Sequence, residues 1–432
     1  MKKKDLIKIG FMTFALFFGA GNLIFPPLIG YQSGQNFIFA VLGFVTTGVC
    51  LPLLGAIAGS MVYGKIELLG KKVGNWFYTI FPTIIYLAIG PIFIIPRSAS
   101  VTYTIGVEPL LENHSSIIMF LVTLIYFIIS YYFVINSHKM VDFIGKIITP
   151  LLFLVIGIMV IFAVINPAGP IGNSTGEYVH TPYFKGFVEG FLTMDALGAL
   201  VVANILVSTF KDYGIHDKKD IVKYASIASI IAGIGLTLVY MALTYVGATS
   251  NVFSGITNGA VILTNVMSYM FGDFGVAILG IIIAFACLST SIGVTSASSR
   301  YFHNKFPKLS YKKWVMIISL VSFLIANIGL DKLIEITVPV LTIIYPAVII
   351  VIILAFLYDR IKNTKFVYSI TVITALLISI VNTLDSLNVK IPFVTKLFEE
   401  LPLYNVTLGW IIPTLIVGVI TFLIEFKKTK TL

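Results

Sequence analysis

The stretch FFGAGNLIFPP, from Phe17 to Pro27, lies within the first long apolar run of the chain and decides the fold. Its small residues and the polar Asn22 fall near the middle of a run long enough to cross a membrane as a helix. Glycine weakens a helix, and proline removes a backbone donor from it. The stretch therefore predicts a first membrane helix that is broken at Gly19-Ala20-Gly21-Asn22.

The composition places most of the protein's surface in lipid. Of the 432 residues, 58% are hydrophobic and only 11% are charged. So few charges cannot cover the surface of a soluble protein of this size. Continuous apolar runs of about 20 residues, without the alternation of barrel strands, indicate membrane-spanning helices. We predict an all-α integral membrane protein with twelve transmembrane helices, near residues 8–30, 37–63, 76–105, 116–135, 141–165, 183–209, 221–247, 271–298, 313–330, 333–357, 366–385 and 404–426.

Basic residues are distributed unevenly between the two sides of the predicted membrane. If the N-terminus is cytoplasmic, 24 of the 29 Lys and Arg residues lie in cytoplasmic ends and loops. One, Arg97, lies within a span, and four would lie outside: Lys185, Lys332, Lys390 and Lys396. This positive-inside asymmetry predicts a multi-pass protein of the cell membrane with both termini in the cytoplasm. The net charge of +10 therefore reports topology and does not indicate a nucleic-acid partner.

The spans divide into units at the longest polar connection, which runs from about Asn166 to Pro182. Five spans precede it, and an odd number of spans per unit forces a following unit of five to be inverted. We expect a 5+5 inverted repeat followed by two extra C-terminal helices, with the parts at residues 1–165, 183–357 and 366–426.

A second interruption lies in span 6, where GFLTMDALGA runs from Gly190 to Ala199. Broken helices 1 and 6 at matching places in two repeats predict a binding site at the middle of the membrane. Glycines alone would also permit close packing of helices. Asn22, the two prolines after it and the matching break favour a site.

An unwound segment in lipid leaves backbone groups without partners, and a zwitterionic amino acid can satisfy both kinds. Its carboxylate can accept from N–H groups at the start of a half-helix, and its ammonium can donate to carbonyls freed at the end of another. The candidate substrate-binding residues are Gly19, Ala20, Gly21, Asn22, Phe191, Thr193, Met194 and Asp195.

Asp195 is one of very few ionisable residues well inside a predicted span, and Arg97 lies inside another. A carboxylate at mid-depth is costly, so Asp195 is expected to act as a counter-charge for the substrate amine, a cation ligand or a proton carrier, or else to bond a neighbouring helix. Arg97, in the outer part of span 3, is a possible gate that pairs with an acidic residue. The alternative for Arg97 is that its side chain snorkels to the outer interface.

Span 8 carries the hydroxyl-rich stretch ACLSTS, from Ala286 to Ser291. Adjacent hydroxyls and carbonyls can bind a sodium ion, or they can bond to the preceding turn and allow close packing. We identify no catalytic residues. The five histidines lie in loops or at span ends, and no triad spacing or phosphate-cradling glycine loop occurs, so an enzyme is not expected.

The chain resembles the bacterial branched-chain amino acid:cation symporter family, within the amino acid–polyamine–organocation superfamily. The resemblance runs essentially end to end, through FFGAGNLIFPP, AIGPIFIIPRSASV (Ala88 to Val101) and EGFLTMDALGAL (Glu189 to Leu200). It implies a 5+5 inverted-repeat fold with two additional helices. It also implies uptake of leucine, isoleucine and valine by alternating access. A proton-coupled carrier for these or other neutral amino acids is the alternative.

A weaker resemblance is to sodium-coupled neurotransmitter symporters of the same fold, whose first helix carries a similar GN…FP pattern. It implies a sodium site made from first-helix carbonyls and an eighth-helix ladder of hydroxyls. At the matching positions these are Ala15, Phe18, Ala286, Ser289 and Thr290. Sodium is then the coupling ion, and no other cofactor is expected.

Overall fold

The computed structural model describes residues 1–111, 115–136, 149–357 and 364–430, and these ranges fold as helices joined by short loops. The helices are α1 (Lys3–Phe17), α2 (Ala20–Ser33), α3 (Phe37–Val45), α4 (Leu51–Met61), α5 (Ile66–Lys71), α6 (Asn75–Leu87), α7 (Ile94–Gly106), α8 (Ser116–Ile135), α9 (Thr149–Ile165), α10 (Pro182–Glu189), α11 (Asp195–Asp212), α12 (Lys218–Ala248), α13 (Gly259–Lys305), α14 (Tyr311–Ala326), α15 (Leu330–Ala355), α16 (Thr364–Ser386), α17 (Val394–Glu399) and α18 (Ile411–Lys430).

Short segments of other helix types occur where glycine and proline interrupt the apolar runs. A π-helical segment, Thr46–Cys50, joins α3 to α4, and another, Ala88–Ile92, joins α6 to α7. Within the second, Gly90 leaves helical geometry next to Pro91, which kinks the third run where its prolines predict a kink. The 47-residue helix α13 bends at Gly272, where φ is +60°, a value that glycine adopts readily.

Seven helices of the described residues are long and apolar enough to cross a membrane, or eight if the bent pair α10 and α11 forms one span. The twelve-span count is therefore not reproduced by this criterion. One reason is that Ala20–Met61 reads as a single helical run, although Gly34 turns the chain inside it with φ +45°. Other predicted spans are shorter than expected: α14 has 16 residues, and α9 has 17, with 141–148 outside the described residues.

The last predicted span also begins later than expected. The apolar run starts near residue 404, but the chain first makes a 3₁₀ turn at Tyr404–Val406 between two residues of positive φ, Leu403 and Thr407. Helix α18 then begins at Ile411. Hydropathy places the ends of a span only to within several residues, so it does not locate so short a turn.

Packing of the broken runs brings the two interruptions together. Both α1 and α2 pack along α12, while α10 packs on α3 and α11 on α4. The approach is close, because a Cβ on Gly30 or Gly247 would lie within 2 Å of a backbone oxygen, that of Thr244 or Pro27. These contacts hold α2 and α12 backbone to backbone and fix where α2 begins.

Candidate functional site

The first interruption is short. Helix α1 ends at Phe17, Gly19 is extended with φ −119° and ψ −171°, and α2 begins at Ala20. A helix start leaves its first N–H groups without intrahelical partners and carries a partial positive charge. The Asn22 N–H bonds the Gly19 carbonyl at 3.2 Å, so the N–H groups of Ala20 and Gly21 are the ones presented at this end.

The second interruption is longer. Helix α10 passes into a 3₁₀ segment, Gly190–Thr193, and Met194 is left-handed with φ +61° before α11 begins at Asp195. The two helices meet at an angle of 48°. Asp195 therefore stands in the first turn of α11, where the helix dipole favours a negative charge.

Asn22 joins the two interruptions through its side-chain amide. Its Nδ2 lies 2.8 Å from the Phe17 carbonyl, 2.9 Å from Oδ2 of Asp195 and 2.6 Å from the Tyr240 hydroxyl. Tyr240 in turn donates to Oδ2 of Asp195 at 3.3 Å. Asn22 and Tyr240 are buried, and Asp195 is 8% exposed. This network thus satisfies a carbonyl that the first break frees and holds the carboxylate of the second.

Arg97 braces the second interruption. Its guanidinium donates to the Leu192 carbonyl at 2.5 Å and to the Thr193 carbonyl at 3.3 Å. The side chain is only 3% exposed and lies over the Phe25 ring, 5.3 Å from its centroid. Arg97 therefore does not snorkel to an interface, and among the described residues it forms no ion pair with an acidic side chain. In this conformation Arg97 makes neither of its two expected contacts, and two of its donors meet the carbonyls freed by the second break.

A cavity of about 120 Å³ lies where the interruptions meet. Its walls come from α1, α2, α7, α11 and α13, and the polar or charged residues in its lining are Asn22, Arg97, Ser98, Thr193, Asp195, Ser289 and Thr290. The remaining lining is apolar or glycine. Enclosed, mostly apolar cavities with a few convergent polar groups are typical of small-molecule sites.

Comparison with known proteins gives the family. The profile described as "Branched-chain amino acid transport protein" matches residues 2–428. The branched-chain amino acid permease BrnQ of Bacillus subtilis (strain 168) is 42% identical, covering 99% of this chain and 98% of the relative. The branched-chain amino acid transport system 2 carrier protein of Pseudomonas aeruginosa is also 42% identical, covering 96% and 94%. The chain belongs to the branched-chain amino acid transport protein family.

Solved structures agree on the architecture of this branched-chain amino acid transport protein. Mhp1 in an inward-facing conformation superposes with a TM-score of 0.64 at 12% identity, covering 98% of this chain and 91% of Mhp1. MhsT in complex with L-phenylalanine gives 0.54 at 15% identity, covering 96% and 98%. At such identities the likeness shows the fold alone. With its relatives named as permeases and carriers, the protein is a multi-pass membrane transporter and not an enzyme.

The structure brings most predicted substrate-binding residues of the transporter to the cavity. Those in the lining are Gly19, Ala20, Gly21, Asn22, Thr193, Met194 and Asp195. Phe191 is not among them, since its ring stacks on Tyr345 with centroids 4.5 Å apart. The carbonyls expected to be free at the second break are also occupied: that of Phe191 accepts from the Met194 N–H, and that of Met194 from the Gly198 N–H.

The predicted sodium ligands are only partly gathered at the cavity. Ala15, Ser289 and Thr290 line it, whereas Phe18 and Ala286 do not. Thr290 lies beside the first break, because a Cβ on Gly19 would be 3.6 Å from its Oγ1. The same hydroxyl bonds back to the Ala286 carbonyl at 3.3 Å, so the bonding pattern of the packing alternative is also present.

Sequence reasoning missed Tyr240 and did not identify the individual residues of the apolar wall. Tyr240 is fully buried in α12 and touches both Asn22 and Asp195. The chain contains 21 tyrosines, so a single one inside an apolar run carries no distinct signal. The wall residues missed are Ile89, Ile94, Val201, Val202, Ile205 and Val294, which resemble ordinary core positions in sequence.

Proposed function

We propose that this transporter takes up leucine, isoleucine and valine by symport with a cation, sodium, through alternating access. The observation that carries the proposal is the hydrogen bond from Asn22 to Asp195, 2.9 Å long and 173 residues apart in sequence. It makes two helix interruptions into one cavity that presents a helix start, a carboxylate and an apolar wall. These are the three features that a zwitterion with an aliphatic side chain requires.

The proposed architecture has twelve spans in a 5+5 inverted repeat, residues 1–165 and 183–357, followed by two helices in 366–426. The pattern of packing supports it. The run of α1 and α2, as span 1, packs on α12, as span 7, and the run of α10 and α11, as span 6, packs on α3 and α4, as span 2. A shift of five spans exchanges these two pairs, as a repeat requires.

The substrate is proposed to lie between the two interruptions. Its carboxylate faces the start of α2 at Ala20 and Gly21, and its ammonium faces Asp195, since the carbonyls of the second break are taken. Its side chain lies against the apolar wall. Leucine has three more carbons than alanine, which at about 0.8 kcal/mol per buried CH₂ favours leucine by roughly 2–3 kcal/mol. Leucine, isoleucine and valine differ too little for this term to rank them.

Sodium is proposed to bind between the end of α1 and α13. Carbonyls of Ala15 and Phe18, near a helix end, and the hydroxyls of Ser289 and Thr290 are oxygen ligands of the kind that a hard cation prefers. The contact between Gly19 and Thr290 supports this placement, because it sets the hydroxyl next to the break. The Ala286 carbonyl, the remaining predicted ligand, is the acceptor of the Thr290 hydroxyl.

The residues that line the cavity support an inward-facing state. With both termini in the cytoplasm, Ala15 and Leu16 of α1 and Val201 and Ile205 of α11 belong to cytoplasmic halves of their spans, and all four line the cavity. The outer half of span 1 is α2, which is closed by backbone contact with α12. Transport then requires these outer contacts to part while the inner halves close.

Leucine uptake into vesicles with an imposed sodium gradient tests the proposal. We expect labelled leucine to accumulate in the vesicles and its accumulation to stop when potassium replaces sodium. Isoleucine and valine should inhibit the uptake of labelled leucine. Equal uptake in both salts would exclude sodium coupling. Absence of counterflow exchange of labelled leucine would exclude transport and leave a sensor.

Proton coupling is the second candidate, and the burial of Asp195 favours it. A carboxylate that is 8% exposed, with a tyrosine hydroxyl and an amide on one oxygen, is placed to take up and release a proton as the cavity changes access. Uptake that is lost only when the proton gradient is collapsed, in either salt, would favour this mechanism over sodium.

A further inference from the structure

We infer that Arg97 is a carboxylate-binding residue of the substrate site, acting together with the start of α2; this inference rests on the proposed function. The guanidinium lies directly against the first turn of that helix. A Cβ on Gly21 would be only 2.7 Å from its Nη2 and 3.2 Å from its Cζ. Two positive groups of different origin, a helix N-terminus and a guanidinium, thus meet at one place on the cavity wall.

Arg97 has donors to spare. A guanidinium carries five N–H groups, and two hydrogen bonds, to the carbonyls of Leu192 and Thr193, are formed within the described residues. Its Nε is buried without a hydrogen-bond partner. Buried polar atoms are rarely left unpaired. An anion bound at this wall would accept from N–H groups of Arg97 that the two carbonyls do not use.

Asp195 does not supply that anion. It shares the cavity with Arg97, but the two form no ion pair among the described residues, and the hydrogen bonds from Asn22 and Tyr240 both go to Oδ2. The cavity therefore holds a buried guanidinium and a buried carboxylate that attract each other through space but are not directly paired. A zwitterion completes this arrangement, with its carboxylate at Arg97 and its ammonium at Asp195.

The same side chain also braces the second interruption, which gives binding a structural consequence. Its remaining N–H groups meet the substrate while two hold the 3₁₀ segment between α10 and α11. Lysine cannot reproduce this geometry, because an ammonium is a point charge without the planar fork of a guanidinium. Arg97 therefore ties occupancy of the carboxylate site to the position of the span 6 break.

The experiment compares leucine with leucinamide, which keeps the ammonium and the side chain but lacks the carboxylate. The purified full chain is titrated with each ligand in sodium buffer near neutral pH, and affinity is taken from the rise in its thermal unfolding midpoint. The proteins are the unsubstituted chain, Arg97→Gln, Arg97→Lys and the control Arg300→Gln. Arg300 is exposed near the end of α13, so the control removes the same charge away from the cavity.

We expect Arg97→Gln to weaken leucine binding by about tenfold or more, the worth of a charge-assisted hydrogen bond. Leucinamide should bind to Arg97→Gln as well as to the unsubstituted chain or better. It has no carboxylate for Arg97 to bind, and as a cation it then enters a cavity that has lost one positive charge. The ratio of the affinities for leucine and leucinamide should then be lost in Arg97→Gln, reduced in Arg97→Lys and unchanged in Arg300→Gln.

A merely structural brace would predict a different result. The affinities for leucine and for leucinamide would fall by the same factor in Arg97→Gln. An unchanged ratio of the two affinities would overturn the inference. If Arg97→Gln does not yield folded protein, an unaltered preference in Arg97→Lys overturns it equally. If the unsubstituted chain binds none of leucine, isoleucine and valine, the proposed function itself fails, and that outcome is separate because it does not involve the variants.

Discussion

The two helix interruptions solve the same physical problem in different ways. At the first, the chain needs two residues, and its own Asn22 returns to the Phe17 carbonyl that the break frees. At the second, five residues leave the α-helix, and the freed carbonyls of Leu192 and Thr193 are satisfied from another span by Arg97. The first break is locally self-sufficient, whereas the second depends on tertiary contact.

This difference indicates which break can respond to a ligand. When a residue of the same span bonds the carbonyl that a break frees, the break keeps that bond whatever the neighbouring spans do. Such a break presents a fixed helix start to the cavity. A break held by a distant guanidinium changes its hydrogen bonds whenever that side chain moves. We therefore expect the first interruption to act as the rigid part of the site and the second as its mobile part.

Asp195→Asn should have the largest effect, because it removes the charge at the point where the two breaks meet. We expect leucine uptake to be abolished or strongly reduced while the protein remains in the membrane, measured as uptake normalised to the amount of protein. Asp212→Asn, in the same helix but exposed at its end, is the matched control and should transport normally. Wild-type kinetics in Asp195→Asn would make this carboxylate structural.

Asn22→Ala should be the most destabilising change at the first break. It leaves the Phe17 carbonyl and Oδ2 of Asp195 without their amide donor, which we expect to lower the free energy of unfolding by roughly 2–4 kcal/mol. Unfolding in detergent measures it. The control Asn36→Ala removes a partly buried bond to the Tyr178 carbonyl, 2.9 Å long, and a longer exposed one of 3.5 Å to the Val179 carbonyl, and it should cost about 1 kcal/mol. Equal losses would contradict the self-sufficiency of the first break.

Gly21→Ala tests the contact between the first interruption and Arg97, the side chain that holds the second interruption. The added methyl would lie 2.7 Å from Nη2 of Arg97 and must displace a guanidinium that is held by two carbonyls. We expect the KM for leucine to rise by about tenfold. Gly19→Ala is the matched control, since its methyl would be 3.6 Å from Thr290, an ordinary contact. The same KM in both variants would argue against the role of Arg97.

Thr290→Ala should have the smallest effect and the most selective one. Loss of one oxygen ligand is expected to raise the sodium concentration for half-maximal uptake by about three- to tenfold, without lowering the maximal rate to the same degree. Thr264→Ala is matched to it, because Thr264 lies on the same helix and bonds back to the Ala260 carbonyl at 3.0 Å, but it is outside the cavity. An unchanged sodium dependence in Thr290→Ala would favour packing.

Sequence reasoning found the parts of the site that have an unusual composition. The break at Gly19 stands out because its glycines are combined with Asn22 and two prolines, and the carboxylate of Asp195 stands out because charges are rare within the apolar runs. The family followed from the same stretches. What sequence could not supply were contacts across long separations, such as Arg97 with Leu192, 95 residues apart. Tyr240 was missed for the same reason, because only the folded chain places its hydroxyl beside Asp195.

Helix ends and lengths were also beyond hydropathy. The turn before Ile411 lies within a predicted span, because hydropathy averaged over a run of residues does not locate a short change of backbone conformation. The two contacts expected of Arg97, with an acidic partner or with the outer interface, rested on its position in the outer part of a span, where a lone basic residue often snorkels. In the folded chain Arg97 instead donates to carbonyls that the second interruption frees.

The glycines that hold α2 against its neighbours also fix how this protein tolerates change. A side chain on Gly30, Gly247 or Gly259 would collide with a backbone oxygen less than 2 Å away, whereas Gly198 and Gly293, which line the cavity, have nothing within 4 Å. In a library of all single substitutions selected for growth on scarce leucine, the first three positions should return only glycine. The other two should accept alanine. Tolerance to substitution would then separate the glycines at closely packed helix contacts from those that line the cavity.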